Sequence, residues 1–146
     1  KDIEARAHML VASSMGSTAF QKGIGAIHSL SHPVGAIYNT HHGLTNAVFM
    51  PYVLLKNKVA IKDQIENLSR YINLPNPNFN GFMQWILDLR KELGIPHTLK
   101  KLIEDDSRFE EMSVMALNDP STGGNPVKLT SKDFLQLYRN SFDGIL

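Results

Sequence analysis

Apolar residues recur at helical spacing along most of this chain. In residues 59–72, the apolar positions Ile61, Ile65, Leu68 and Ile72 are separated by three or four residues, with charged positions between them. This spacing places the apolar side chains on one face of a helix. A second stripe with the same spacing consists of Phe82, Trp85, Ile86, Leu89 and Leu93. Both stripes predict amphipathic helices, and the second is expected to lie in the core.

Further helices are predicted over residues 2–21, about 24–36, about 43–57, after Ser107 and after Thr130. Asp2 is a candidate N-cap, and two pairs have capping-box spacing, Ser107 with Glu110 and Thr130 with Asp133. Proline, glycine and asparagine mark loops at 73–80 and 119–128. No segment alternates with a period of two over the length of a strand. The predicted fold class is therefore all-α, a bundle of seven or eight helices forming one domain over residues 1–146.

Composition excludes several classes of function. The net charge is +1 and the 15 basic residues are scattered, which argues against a nucleic-acid-binding surface. The chain has no cysteine, so disulfides, iron–sulfur clusters and thiolate zinc sites are excluded, and a reducing, cytoplasmic location is expected. No apolar run approaches the ~18 residues of a membrane span. These observations predict a globular protein without nucleic-acid or membrane partners.

Candidate chemistry is concentrated in residues 23–43, which contain four of the six histidines, His28, His32, His41 and His42. His28 and His32 are four residues apart and share a helix face. On one unbroken helix, His28 and His42 would lie about 21 Å apart at a rise of ~1.5 Å per residue. They can share a metal ion only if the chain turns back between them.

The residues between the two histidines predict such a reversal. Pro33 interrupts helical hydrogen bonding, and Asn39 and Thr40 are good N-caps for a second helix that opens near His42. His41 is expected in the loop or at its rim. From spacing alone, a metal site and a structural role for His28 and His42 remain equally supported, because no short zinc signature such as His-Glu-x-x-His is present.

The histidine stretch resembles the iron-containing alcohol dehydrogenases. The family pattern is Gly-x-x-His-x-x-x-His-x-x-Gly followed by His-Gly, which matches residues 25–35 and 42–43. The resemblance continues through Asn46–Pro51, and more weakly through Leu93–Pro96, Asp119-Pro120 and Gly124–Pro126. It covers nearly all of the chain and implies the C-terminal helical domain of that family.

The resemblance implies a metal site and a cofactor. His28 and His42 correspond to the last two of the family's four metal ligands, which are one Asp and three His. His32 corresponds to a further active-site histidine, with an expected catalytic role near the nicotinamide and the substrate. Phe20 is expected to face the nicotinamide pocket, although an aromatic residue at a helix end is also explained by core packing. The implied cofactors are Fe²⁺ or Zn²⁺ and, in the complete enzyme, NAD or NADP.

The resemblance also implies missing parts. No Asp in this chain is followed by His four residues later, so the helix with the first two ligands is expected upstream, together with the nucleotide-binding domain. The implied activity is interconversion of an alcohol and an aldehyde or ketone, with the isolated chain inactive and prone to form homo-oligomers. Two alternatives stay open, a glycerol-dehydrogenase-like enzyme and a helical fragment without catalysis. A di-metal carboxylate bundle is excluded because its Glu-x-x-His pairs are absent.

Overall fold

The structure, a computed structural model, describes residues 2–146, so Lys1 of the predicted domain lies outside it. Those residues form seven α-helices, two 3₁₀ helices and no strand, which confirms the all-α fold class. The α-helices are α1 (Ile3–Phe20), α2 (Ala26–Tyr38), α3 (His42–Lys56), α4 (Lys58–Tyr71), α5 (Phe79–Glu92), α6 (Phe109–Leu117) and α7 (Ser131–Asp143). The 3₁₀ helices cover Leu99–Lys101 and Pro120–Gly124.

The core is formed where α2, α3, α6 and α7 pack together. Its largest fully buried side chains include Tyr138, Phe49, Phe134 and Leu30. The Tyr138 ring lies against Phe49 and Phe109, and its hydroxyl donates a 2.8 Å hydrogen bond to the carbonyl of Leu30. This bond ties α7 to the middle of α2, the helix that carries His28 and His32.

Helix α2 continues through Pro33 and ends at Tyr38, two residues beyond the predicted end near residue 36. A proline removes one backbone donor, and the packing of buried Pro33 and Val34 in the core offsets that loss. The reversal predicted between the two helices occurs at residues 39–41. Asn39 has a left-handed backbone (φ 52°) and ends α2, and His41 caps α3 by accepting a 3.2 Å hydrogen bond from the Leu44 amide through Nδ1. Asn39 and Thr40 are therefore not the caps of α3.

The two predicted apolar stripes are only partly buried. On α4, Ile61 and Ile65 are half-buried, but Leu68 and Ile72 are exposed. On α5, Phe82 and Ile86 are buried, whereas Trp85, Leu89 and Leu93 are exposed and are not core residues. The prediction that the whole α5 stripe lies in the core is therefore wrong. The buried face of α5 also includes Phe79, Met83 and Arg90.

Helix α1 has no buried residue along its 18 positions. Asp2 caps it as predicted, since its carboxylate accepts a 3.0 Å hydrogen bond from the Ala5 amide. Its apolar side chains, such as Met9 and Leu10, are exposed. None of the helices in residues 2–146 has both the length and the apolar character that a bilayer crossing requires.

The capping predictions differ in outcome between α6 and α7. Ser107 does not cap α6, because its hydroxyl bonds to Asp105 at 2.6 Å and Arg108 occupies the cap position. Thr130 and Asp133 do form the predicted capping box of α7. Lys56 adds an ion pair to Asp133 at 2.5 Å, which ties the end of α3 to the start of α7.

The capping box of Thr130 and Asp133 predicts that the folded protein loses stability in acid. Hydrogen bonds from Lys56 and Thr130 lower the pKa of Asp133 from 3.8 to about 2. A carboxyl group with a lowered folded-state pKa stabilises the protein above pH ~4, and that contribution disappears as the pH falls toward ~2. Because water screens this partly exposed pair, we expect D133N to lower the free energy of unfolding by about 1 kcal/mol at pH 7. Urea titrations should show the difference shrinking toward pH 2.

The matched control is D63N, which changes a solvent-facing carboxylate on α4 that has no ion pair within residues 2–146. Its unfolding free energy should run parallel to that of the wild type across the same pH range. An equal loss for D133N at pH 7 and pH 2 would contradict the assignment of the effect to the Asp133 carboxylate.

Candidate metal centre

The reversal between α2 and α3 brings His28, His32 and His42 together. The ring centroids of His28 and His42 are 5.3 Å apart, those of His32 and His42 are 5.3 Å apart, and those of His28 and His32 are 6.0 Å apart. His28 lies in the first turn of α2, His32 one turn later, and His42 at the first position of α3. The remaining cluster histidine, His41, is used as the cap of α3.

His28 and His42 direct their Nε2 atoms toward one point. The side-chain amide nitrogen of Asn46 lies 3.3 Å from Nε2 of His28 and 3.0 Å from Nε2 of His42. An amide nitrogen only donates hydrogen bonds, so both Nε2 atoms are unprotonated and accept through their lone pairs. Asn46 is four residues after His42 and therefore lies on the same face of α3.

Ser31 holds the other side of this arrangement. Its hydroxyl lies 2.5 Å from Oδ1 of Asn46 and 3.4 Å from Nδ1 of His42. With the Nδ1 proton of His42 directed to Ser31 and the Ser31 proton directed to Asn46, the contacts of Ser31 with both side chains pair a donor with an acceptor. A hydrogen bond to the far ring nitrogen is the support that metal-binding histidines usually have.

The local environment shifts both imidazoles toward the neutral form by lowering their pKa values. Burial lowers the pKa of His28, and the neighbouring His42 and His32 lower it further, while Asp119 acts in the opposite direction. Burial likewise lowers the pKa of His42, with added effects of His32 and His41. Neutral imidazole is the form that binds metal ions.

The donor set fits part of a metal site. Two neutral imidazole nitrogens that converge on one hydrogen-bond donor are suited to a divalent cation such as Zn²⁺ or Fe²⁺. Catalytic metal sites generally use at least three protein ligands. Within residues 2–146, no group of three His, Cys, Asp or Glu side chains is arranged to hold a metal ion.

His32 and Phe20 lie at the edge of this pair. The His32 ring is stacked on His42 with an angle of 13° between their planes, and its Nδ1 lies 2.8 Å from Oδ2 of Asp119. Phe20, at the end of α1, meets His28 edge-on with centroids 5.8 Å apart and is 54% exposed. Phe20 is thus not a core residue. Its expected contact with a nicotinamide stays a prediction.

Three residues that support the site were not predicted from the sequence. They are Ser31, Asn46 and Asp119, of which Asn46 and Asp119 lie in segments that resemble the family. The sequence does contain a signal that Asn46 belongs to the site, since its spacing from His42 places both residues on one helix face. Asp119 is 87 residues from His32 and no local pattern connects them.

Solved structures of alcohol dehydrogenases have the same fold. A 1,3-propanediol oxidoreductase superposes with a TM-score of 0.75 at 26% sequence identity, covering 81% of this chain and 32% of that chain. An iron-containing alcohol dehydrogenase from Thermococcus thioreducens gives a TM-score of 0.72 at 27% identity, covering 82% of this chain and 32% of that chain. The helical domain is therefore of the alcohol dehydrogenase type.

The sequence profile of the Fe-containing alcohol dehydrogenase family, C-terminal, matches residues 1–142, and the chain belongs to this family. It is 34% identical to a 4-hydroxybutyrate dehydrogenase of Cupriavidus necator, over 97% of this chain and 39% of that protein. It is 32% identical to an NAD-dependent methanol dehydrogenase of Bacillus methanolicus, again over 97% of this chain and 39% of that protein. The chain thus spans about two fifths of the length of these relatives and corresponds to their C-terminal part.

Proposed function

We propose that this chain is the metal-binding part of an NAD(P)-dependent alcohol dehydrogenase that interconverts an alcohol and an aldehyde or ketone. The observation that carries the proposal is the convergence of Nε2 of His28 and His42 on one point. Membership of the Fe-containing alcohol dehydrogenase family supports the reaction class. The names of two relatives, an NAD-dependent methanol dehydrogenase and an NADPH-dependent butanol dehydrogenase, support a nicotinamide cofactor of either kind.

In this proposal each described residue has a limited task. His28 and His42 hold a divalent cation, Fe²⁺ or Zn²⁺, which when bound supplies Lewis-acid polarisation of the alcohol or carbonyl oxygen. Ser31 and Asn46 orient these two imidazoles. His32 and Phe20 face the nicotinamide and the substrate, with His32 in the catalytic role. A bound nicotinamide would supply or accept the hydride.

The remaining ligands and the nucleotide-binding domain are proposed to lie on polypeptide that precedes the matched region. The support is that this chain corresponds to only 39% of the 4-hydroxybutyrate dehydrogenase. The isolated chain is then inactive, as a helical module with two ligands. A helical module without catalysis is thus the second candidate function for the chain alone. Homo-oligomers and a cytoplasmic location stay predictions.

Metal titration tests the ligand assignment. Calorimetric titration of the purified chain with Zn²⁺, and anaerobically with Fe²⁺, should show one site. The double variant H28A/H42A should bind at least tenfold more weakly, because both imidazole donors are lost; tenfold corresponds to about 1.4 kcal/mol.

H8A is the matched control, since His8 is exposed on α1 and lies outside the cluster. Its titration should coincide with that of the wild type. Equal affinities of the wild type and the double variant would contradict the assignment of His28 and His42 as ligands.

A further inference from the structure

The contact between His32 and Asp119 defines which ring nitrogen of His32 carries the proton. Nδ1 of His32 lies 2.8 Å from Oδ2 of Asp119. Burial opposes ionisation of Asp119, but hydrogen bonds from His32 and Ser121 outweigh it and hold the pKa of this carboxyl below its ordinary value. An ionised carboxylate only accepts hydrogen bonds, so Nδ1 is the protonated nitrogen of His32. In the neutral ring the lone pair is then on Nε2.

Asp119 is itself held in place by its own loop. Its other oxygen, Oδ1, accepts a 2.8 Å hydrogen bond from the Ser121 amide and caps the 3₁₀ helix Pro120–Gly124. The two carboxylate oxygens therefore have separate tasks, one inside the loop and one toward His32. The Asp119 side chain is 13% exposed, compared with 42% for His32.

The loop that contains Asp119 contacts α2 at three points. Successive contacts are three residues apart in the loop and three residues apart in α2. Asn125 bonds to the Ala26 amide at 3.3 Å, the hydroxyls of Thr122 and Ser29 are 2.7 Å apart, and Asp119 bonds to His32. Residues three apart are eclipsed in a 3₁₀ helix and lie on one face of an α-helix. Because the contacting residues are three apart in both elements, the first two contacts place Asp119 opposite His32. We refer to residues 119–125 as the clamp loop.

The second ring nitrogen of His32, Nε2, belongs to a side chain that is 42% exposed. Nε2 of His32 has no hydrogen-bond partner within residues 2–146, although the ring is stacked against His42 and lies near His28. A histidine whose Nδ1–H is held by a carboxylate and whose Nε2 is open has the arrangement of a general base.

We propose that Asp119 is a positioning residue, which holds His32 as the Nδ1–H tautomer so that Nε2 accepts the proton of the alcohol. The proposal rests on the proposed dehydrogenase function. In the oxidation direction, the O–H proton passes to Nε2 of His32 while the hydride leaves the carbon for the oxidised nicotinamide. In the reduction direction, Nε2–H returns the proton to the oxygen as the carbonyl receives the hydride.

The tautomer can be measured without any metal or cofactor. Long-range ¹H–¹⁵N correlation spectra of the ¹⁵N-labelled chain distinguish a protonated from an unprotonated ring nitrogen, and H32Q assigns the His32 signals. In the neutral ring we expect Nδ1 protonated and Nε2 unprotonated. The wild-type spectrum decides this part even if a variant fails to fold.

D119N then tests the cause. The Asn oxygen can keep the cap on Ser121, but its NH₂ group now donates toward Nδ1, so the tautomer should reverse to Nε2–H. D105N is the matched control, because Asp105 caps its own loop at Ser107 in the same way. Its His32 signals should be those of the wild type. A wild-type Nε2–H ring, or an unchanged tautomer in D119N, would overturn the proposal.

Kinetics of the complete enzyme separate positioning from a purely structural effect. D119N should lower kcat by at least 100-fold with a much smaller change in KM for the alcohol, as expected when a general base has the wrong tautomer. A reversed tautomer with unchanged kcat would overturn the role of Nε2 as proton acceptor. Failure of the His28 and His42 titration would contradict the proposed metal site and leave the tautomer result unaffected, so the two failures are distinguishable.

Discussion

Replacing Gly124 by alanine is expected to destabilise this protein by about 3 kcal/mol, the upper end of the usual cost of overpacking a tight contact. A Cβ on Gly124 would lie 2.2 Å from the carbonyl oxygen of Ile24. Both partners belong to the backbone, so no flexible side chain can move aside. Either the clamp loop or the segment before α2 must shift. For a chain of this length, the change corresponds to a fall in melting temperature of roughly 10 °C.

The adjacent glycine provides a matched control. A Cβ on Gly123 meets no atom within 4 Å, and its backbone is not in the left-handed region. G123A should therefore remain within about 0.5 kcal/mol of the wild type. Thermal unfolding followed by circular dichroism compares the two variants directly. Equal melting temperatures for G124A and G123A would contradict the close approach of the loop to Ile24.

The second large loss of stability is expected when the amide pair of Asn57 and Asn125 is broken. Each side chain donates to the other at 2.9 Å, and Asn125 also accepts from the Ala26 amide and donates to the carbonyl of Val127. Asn57 is 5% exposed, so N125A leaves a buried amide without its partner. A buried unsatisfied group costs about 1–3 kcal/mol. We expect N125A to lower the free energy of unfolding by about 3 kcal/mol in urea titration.

A double-mutant cycle isolates the pair. N57A/N125A should cost less than the sum of the single variants, because the second substitution removes a group that the first has already left unpaired. N118A, at an exposed asparagine that ends α6, is the control and should be close to neutral. Strict additivity of N57A and N125A would contradict the reciprocal amide pair.

The position of the helices could be predicted from the sequence, but the depth of their burial could not. Helical spacing predicted α4 and α5 to within a few residues, because the period is a local property. Whether a stripe is covered depends on distant elements, and Trp85, Leu89 and Leu68 are left uncovered within residues 2–146. The burial of Pro33 shows the same limit, since the sequence predicts its effect on helical hydrogen bonding but not its position in the core.

In the candidate site, too, local sequence predicts some residues, whereas others depend on distant parts of the chain. His28, His32 and His42 were predicted from one continuous stretch, and the structure brings their rings within 6.0 Å. Asn46 lay within reach of the same helical-spacing argument. Asp119 did not, because it meets His32 through a loop whose position depends on contacts made by Thr122 and Asn125.

The clamp loop also constrains how this sequence can vary in length. A 3₁₀ helix turns by about 120° for each residue, so inserting or deleting one residue rotates everything beyond it by a third of a turn. Such a change would break the contact of Asn125 with the start of α2 if Asp119 kept its contact with His32. It would break the contact of Asp119 with His32 if Asn125 kept its own. Loops usually tolerate length changes well. In this one, the residue count is as restrictive as residue identity, and sequences that share the site should share the spacing between these two side chains.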